Sequence, residues 1–308
     1  MSKRVVITGL GVVSPVGNNV DEYWNSLISG KSGVTEVTRF DVSDFPAKIA
    51  AEVKNFDVTE YVDNKAARRM DLSEQYAIAA SDQAIKDSKL DLESVDLDRC
   101  GVVIGSGIGG ISTFEDQHSK LLSAGPGRVS PFFIPMMIID MCPGLVSIRF
   151  GFRGPNYATV SACASSSHAL TDAYHIIQRG EADVMITGGA EATLVPSSLA
   201  GFCSSKALST RNDNPTAASR PFDIDRDGFV MGEGSGIIVM ESLEHAQARG
   251  AKIYAEFTGS GMTGDAYHMT APHPEGRGAK KAMELALERA NLKQNRLTIS
   301  ILMVLLPV

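Results

Sequence analysis

The chain has 308 residues, of which 44% are hydrophobic and 21% charged, a balance that implies a packed core and excludes general disorder. Its 29 basic and 36 acidic residues leave a formal charge of −7, which argues against nucleic acid as the main partner. Four cysteines without any CxxC spacing (Cys100, Cys142, Cys163, Cys203) argue against a disulfide scaffold, and no metal site is expected. The N-terminus has no long apolar signal core. The apolar run Ile299–Val308 is interrupted by Ser300 and falls short of the roughly 20 residues a membrane helix needs. A soluble α/β protein of a reducing cytoplasm is expected.

In chain order, Arg4–Thr8 reads as a buried strand running into a glycine turn. Val20–Ser29 reads as a helix with Trp24 and Leu27 on one face, ended by Gly30. Ala66–Lys89 is the longest helical segment, interrupted at Asp71 and Ser73. Gly101–Gly105 is a β-rich run opening into the loop Gly105–Gly110, and residues 120–160 read as irregular structure with short helices. Tyr157–Ala162 is a predicted strand, Ser165–Arg179 a helix and Asp183–Gly189 a strand. Ser204–Gly228 is a polar loop region, and Gly236–Glu241 and Lys252–Gly259 are strands. Ala279–Asn291 is a helix, amphipathic through Met283, Leu287 and Ala290. This alternation implies a mostly parallel, covered sheet. Residues 1–250 are read as one unit, 251–293 as the start of a second strand–helix pattern, and 294–308 as an aberrant tail.

Cys163 follows an apolar strand and precedes small residues that can start a helix, in Val160-Ser-Ala-Cys-Ala-Ser-Ser-Ser-His168. A thiol in such a place sits near free backbone N–H groups and the positive end of a helix dipole, which favours the nucleophilic thiolate. A buried small hydrophobe is the commoner fate of a free cysteine. That reading is preferred for Cys100, Cys142 and Cys203. For Cys163, local context leaves burial and catalysis both open.

These segments, taken in order, resemble a β-ketoacyl-acyl-carrier-protein synthase of the thiolase-like superfamily, of the type II elongating kind. The resemblance runs from Arg4 to about Leu292. It rests on Val5–Gly17, the Gly105–Gly110 loop, Ser130–Pro135, the Cys163 segment, Gly188-Gly-Ala-Glu-Ala192, Ala207–Asp213, Ser219–Phe229 and Asp265–Thr270. It implies a layered α-β-α-β-α fold whose second duplicated half is largely missing here. It also implies a decarboxylating Claisen condensation. Cys163 would take an acyl chain from a carrier-protein phosphopantetheine thioester, with its own backbone N–H as half of the oxyanion hole. Malonyl-carrier protein would then lose carbon dioxide and its carbanion attack the acyl-cysteine. Ile108, Phe133 and Phe202 match acyl-pocket positions, although ordinary core packing explains Phe133 equally well. His268 and Thr270 match residues beside the pantetheine channel. No cofactor of its own is expected, because phosphopantetheine arrives on the carrier protein.

In the family two later histidines assist decarboxylation. The six histidines here (His118, His168, His175, His245, His268, His273) lie in neither motif. His118, His175 and His245 read as surface residues, and His168 as packed or hydrogen-bonded on the helix after Cys163. After Lys293 the family would continue toward an Asn-x-His-Gly-Thr-x-Thr loop, but the chain runs Gln294–Val308 instead. Allowed codons for Gln294 through Pro307, read two nucleotides further in, spell EQIDYINTHGTST. The expectation is a single-nucleotide loss near the codon of Gln294, with Met303 standing where the histidine would be, and a chain that folds poorly and does not condense. Asp140 and Pro143 replace the family's usual asparagine and alanine, which puts local packing there in doubt.

Lys65, Arg68 and Arg69 fall at i, i+3 and i+4, which would put them on one helix face. A solvated face balanced by Glu60, Asp63 and Asp71 is the plainer reading. The resemblance instead makes this face, together with Lys206, a docking surface for acyl-carrier protein, and implies a homodimer formed through the sheet carrying the Cys163 segment. Two other readings stand beside this one. One is a condensation-inactive fragment that at most binds carrier protein or accepts an acyl group. The other is a cysteine hydrolase or thiolase using His118, His175 or His245.

Overall fold

The computed structural model describes residues 2–297. The expectations placed on the end of the chain (Met303, the exposed run Ile299–Val308) lie outside the described residues. The strands are β1 (Val5–Val13), β2 (Thr35–Glu36), β3 (Ile49–Ala50), β4 (Cys100–Gly105), β5 (Asn156–Thr159), β6 (Val184–Glu191), β7 (Gly234–Ser242) and β8 (Ala255–Phe257). The helices are α1 (Val20–Ile28), α2 (Asn64–Ala67), α3 (Leu72–Ser88), α4 (Ile111–Ala124), α5 (Phe133–Met137), α6 (Met141–Phe150), α7 (Ser165–Gln178), α8 (Pro196–Ser204), α9 (Leu243–Ala248) and α10 (Arg277–Arg289).

Six strands form one sheet in the order β5-β4-β6-β7-β1-β8, and β2 pairs with β3 apart from it. The expectation of a mostly parallel sheet is corrected. β4 runs parallel to β5 and β6, whereas β6–β7, β7–β1 and β1–β8 pair antiparallel. Only the half of the sheet joined by long helical crossovers is parallel, since antiparallel neighbours need no crossover of that kind.

Strand alternation assigns the two faces. Val102, Ile104, Val184 and Ile186 meet α3 and α6, whereas Val103 and Met185 meet Ala169, Ala173 and Ile177 of α7. The described residues thus build three layers, helix, sheet and helix. β4 is buried along its whole length, as a strand covered on both faces must be.

β1 does not end at Thr8 as expected. It continues through Gly9 and Gly11 because these glycines let α3 lie against the strand. A Cβ on Gly9 would stand 2.1 Å from the Ala84 carbonyl oxygen, and one on Gly11 1.9 Å from that of Ala80. The predicted strands Tyr157–Ala162 and Lys252–Gly259 shorten to β5 and β8. On α1, Trp24 and Leu27 are exposed, so the apolar face read from the sequence meets no core among the described residues. Pro143 falls in the first turn of α6, where a missing N–H breaks no helical bond, while Asp140 is the N-cap and makes no capping hydrogen bond.

The break predicted at Asp71 and Ser73 is a double helix cap. Asp71 accepts hydrogen bonds from the Ser73 N–H at 3.1 Å and, through its other oxygen, from Ser112 Oγ at 2.6 Å and Thr113 Oγ1 at 2.7 Å. One buried carboxylate therefore caps both α3 and α4. Glu74 closes the box by accepting from the Asp71 N–H at 2.9 Å, while its other oxygen is buried without a partner. Burial, reinforced by the Asp71 charge, pushes the Glu74 carboxyl up to about 9. A carboxyl raised in the folded state contributes stability that is complete below its unfolded value near 4.5 and is lost as pH rises through about 9. Melting temperature should therefore fall between neutral and alkaline pH, and Glu74→Gln, which mimics the protonated acid, should flatten that fall. Equal slopes for parent and variant in thermal melts across this range would exclude the assignment.

Candidate active site

Cys163 lies in a tight 3-10 turn, Ala162–Ala164, between β5 and α7, and is exposed, whereas Cys100 and Cys142 are buried and Cys203 is half-buried. Thr159 Oγ1 donates to the Ser165 carbonyl at 2.7 Å. Ser165 Oγ donates to the Ala162 carbonyl at 2.7 Å and accepts from the Ser161 N–H at 2.9 Å. These bonds hold Ala162 at φ +50, a left-handed conformation that costs a non-glycine residue roughly 1–2 kcal/mol. No side chain caps the first turn of α7.

Close packing puts this turn at the ends of the parallel strands. A Cβ on Gly105 would stand 2.4 Å from the Ser165 backbone, and one on Gly189 2.6 Å from Ser166 Cβ. The Gly105–Gly110 loop lies beside the same turn, since a Cβ on Gly107 would be 3.7 Å from Ala162 Cα. Ile108, on that loop, is exposed, and the Gly110 N–H donates to the Met137 carbonyl of α5 at 3.1 Å. The loop is therefore joined both to the cysteine turn and to the helix carrying Phe133.

Phe133 is half-buried and tilted against Phe114, with ring centroids 6.3 Å apart, while Phe114 stacks on His118 at 5.7 Å. Phe202, on α8, meets Phe229 edge-on at 5.3 Å and packs on a separate cluster around Leu199 and Leu208. The two phenylalanines thus belong to different aromatic groups. His268 and Thr270 are exposed on one turn, where His268 Nδ1 accepts from the Thr270 and Ala271 N–H groups at 3.2 and 3.1 Å.

The predicted basic face is corrected. α2 stops at Ala67, Arg68 is its C-cap, and Arg69 follows in a turn, so the three charges do not line one continuous helix face. Lys65, Arg68 and Arg69 are all exposed, and the Arg69 guanidinium lies 4.3 Å above the Phe132 ring. Lys206 is exposed just beyond α8, in a left-handed conformation.

Among the described residues the histidines find partners other than Cys163 or, like His118, stack on an aromatic ring. His175 Nδ1 bonds Gln178 at 3.2 Å, and His245 Nδ1 bonds the buried Glu241 at 2.6 Å, so His245 is not the surface residue expected. His168 bonds as expected: its Nδ1 meets Ser161 Oγ at 2.6 Å. Among the described residues no group of three or more histidine, cysteine or acidic side chains is placed to hold a metal. A cleft of about 520 Å³ lies between the Ser14–Asn18 turn, Lys31 and Lys54, and none of the predicted site residues lines it.

The profile described as "Beta-ketoacyl synthase, N-terminal domain" matches residues 2–246, and the C-terminal domain profile of the same family matches residues 254–300. The chain belongs to the β-ketoacyl synthase family. Over 291 residues it is 54% identical to 3-oxoacyl-[acyl-carrier-protein] synthase 2 of Synechocystis, covering 94% of this chain and 70% of that one. The enzyme of the same name from Staphylococcus aureus is 54% identical over 292 residues, with 95% and 70% covered. A β-ketoacyl synthase from Burkholderia phymatum superposes with a TM-score of 0.87 at 36% identity, covering 95% of this chain and 72% of that one. A type II polyketide ketosynthase solved with its acyl-carrier protein superposes with a TM-score of 0.84 at 32% identity, covering 95% and 71%. No helix among the described residues of this synthase-family chain is long and apolar enough to cross a membrane.

Sequence reasoning assigned no role to Glu191, although it quoted the Gly-Gly-Ala-Glu-Ala motif that contains it. The available signal was an acidic residue at the very end of a buried strand. Burial pushes the Cys100 thiol up to about 12 and the Cys142 thiol up as well, which disfavours their thiolates. Under native conditions iodoacetamide should therefore modify Cys163 first, Cys203 more slowly, and Cys100 and Cys142 only after unfolding. Peptide mapping in which Cys142 reacts as fast as Cys163 would contradict this order.

Proposed function

We propose that this chain acts as a ketosynthase of fatty acid elongation, with Cys163 as the acyl acceptor. The thiolate attacks the carbonyl of an acyl thioester on acyl-carrier protein, the phosphopantetheine thiol leaves, and a new thioester forms on Cys163. Malonyl-carrier protein then loses carbon dioxide, and its carbanion displaces the Cys163 sulfur to give the 3-oxoacyl product. The observation that carries this reading is an exposed cysteine on the turn entering α7, beside a glycine loop, in a chain 54% identical to 3-oxoacyl-[acyl-carrier-protein] synthases. The Cys163 backbone N–H serves as half of the oxyanion hole. Ile108, Phe133 and Phe202 line the acyl chain's path, and His268 and Thr270 border the pantetheine arm.

Lys65, Arg68, Arg69 and Lys206 meet the acidic carrier protein. The protein works in the cytoplasm as a homodimer, a reading supported by β5, which lies at one end of the sheet next to the Cys163 turn with one edge unpaired among the described residues. Condensation also needs donors at the developing thioester enolate, worth about a hundred- to a thousandfold each in rate. Among the described residues no histidine is hydrogen-bonded to Cys163, so acylation is the step for which these residues give direct support.

Exposure to acyl-loaded acyl-carrier protein or to cerulenin should leave its adduct on Cys163 alone by mass spectrometry, and Cys163→Ala should take none. Equal labelling of Cys203 would overturn the assignment. Arg68→Glu combined with Arg69→Glu should weaken carrier-protein binding and reduce the salt dependence of what remains, because the attraction is electrostatic. Unchanged binding and salt slope in titration calorimetry would show that the carrier protein docks elsewhere.

A further inference from the structure

Glu191 ends β6 and turns its carboxylate onto the loop that carries Ile108. One oxygen accepts from the Gly107 N–H at 2.6 Å. The other accepts from Ser106 Oγ at 3.1 Å and, more distantly, from the Ile108 N–H at 3.4 Å. Ser106 Oγ in turn accepts from the Gly109 N–H at 3.2 Å. Four consecutive residues of the loop are therefore tied, directly or through one hydroxyl, to a single carboxylate. Every hydrogen-bond partner of that carboxylate is a donor, a demand that an ionised acid meets and an amide meets only in part.

At residues 107 and 108 the only hydrogen bonds to the loop backbone among the described residues are those to Glu191. The ends of the loop are held by the Ser106 N–H, which donates to the Thr159 carbonyl at 3.3 Å, and by the contacts of Gly109 and Gly110 with α5. The loop is rich in glycine, its Gly107 lies against Ala162, and its far end is joined to α5 through the Gly110–Met137 hydrogen bond. Ile108 projects from it exposed, so no core packing fixes that side chain.

We infer that Glu191 is a positioning residue, whose carboxylate clamps residues 106–109 and thereby sets Ile108 against the acyl chain entering Cys163. The inference rests on the reading of Cys163 as acyl acceptor and extends it to the group that selects among acyl donors. Glu191 touches neither the thiol nor the acyl carbonyl and acts only through the loop. An unclamped loop would admit hexanoyl and dodecanoyl chains more nearly alike and would align both less well, since a misplacement of about 1 Å can cost on the order of a hundredfold.

The test uses the full chain with hexanoyl and dodecanoyl pantetheine thioesters as donors and reads Cys163 acylation by intact mass. Glu191→Ala should slow acylation by about ten- to a hundredfold and shrink the ratio between the two donors. Iodoacetamide alkylation of Cys163, which needs no acyl path, should change less than about twofold. Glu191→Gln, which keeps one acceptor for the Gly107 N–H, should fall between parent and Glu191→Ala. Ser106→Ala should loosen the loop without touching the sheet, and so serves if Glu191→Ala does not fold. Hydrogen exchange at Gly107 and Ile108 reads the clamp without any donor: protection in the parent should be lost in Glu191→Ala. Unprotected amides in the parent, or a donor ratio unchanged in Glu191→Ala and Ser106→Ala, would overturn the inference. A parent that shows protection but takes no acyl group would instead overturn the acyl-acceptor reading and the role for Ile108 built on it.

Discussion

The site depends on how closely the first turn of α7 approaches the ends of β4 and β6. Gly105 and Gly189 stand where any side chain would collide with Ser165 or Ser166. Because they are glycines, the helix seats directly on the strand ends and its leading turn projects beyond them. Cys163 is exposed for that reason, while Cys100, inside β4, and Cys142, inside α6, are shut into the core. The same thiol chemistry thus has two fates decided by packing. The strained φ of Ala162 is a consequence of the same seating. The chain must turn sharply between β5 and α7, and the Ser165 hydroxyl stabilises the turn from both sides.

Hydrogen-bonded carboxylates organise the rest of this end of the molecule. Asp71 joins the starts of α3 and α4, and Glu191 joins β6 to the loop that precedes α4. Both oxygens of each acid accept N–H or O–H donors, so the burial of Asp71 is compensated and the half-buried Glu191 is fully partnered. Glu74 is the exception. One of its oxygens has no partner, and it meets burial by holding its proton rather than by finding a cation. Such an acid adds little to a site directly. It makes the junction of the two helices sensitive to alkaline pH.

The two sides of the sheet differ in what they carry. The α3 and α6 side is packed with alanine, valine and isoleucine, and α3 can lie on β1 because Gly9 and Gly11 leave the space. The α7 side carries the cysteine turn and its serine-rich start. Ser161 and His168 form a hydrogen-bonded pair one helical turn from Cys163, and this pair gives the exposed end of α7 a polar face. Rigid packing on one side and a short, heavily hydrogen-bonded turn on the other is the arrangement a positioned nucleophile requires.

The sequence by itself determined the main strands and the helices α1, α3, α7 and α10, the break at Asp71, and the singling out of Cys163, but not the helices α4, α8 and α9 or the short pair β2–β3. Each feature it determined is written in local pattern: β-branched runs, a capping residue, small residues at a helix start. Family membership was legible for the same reason, because ordered motifs are strings of neighbours. Local pattern misled wherever the deciding contact came from far along the chain. Gly9 and Gly11 look like a turn until α3 is packed against them. The spacing of Lys65, Arg68 and Arg69 looks like one helix face until α2 ends at Ala67. His245 looks like a surface residue until Glu241 is buried beneath it. Glu191 carries no local sign of its partners, which lie more than 80 positions earlier in the chain. Tertiary structure alone decided the mixed sheet, the exposure of Cys163 and the clamp on the Ile108 loop, because hydrogen bonds and close packing between distant segments leave no periodic trace in the sequence.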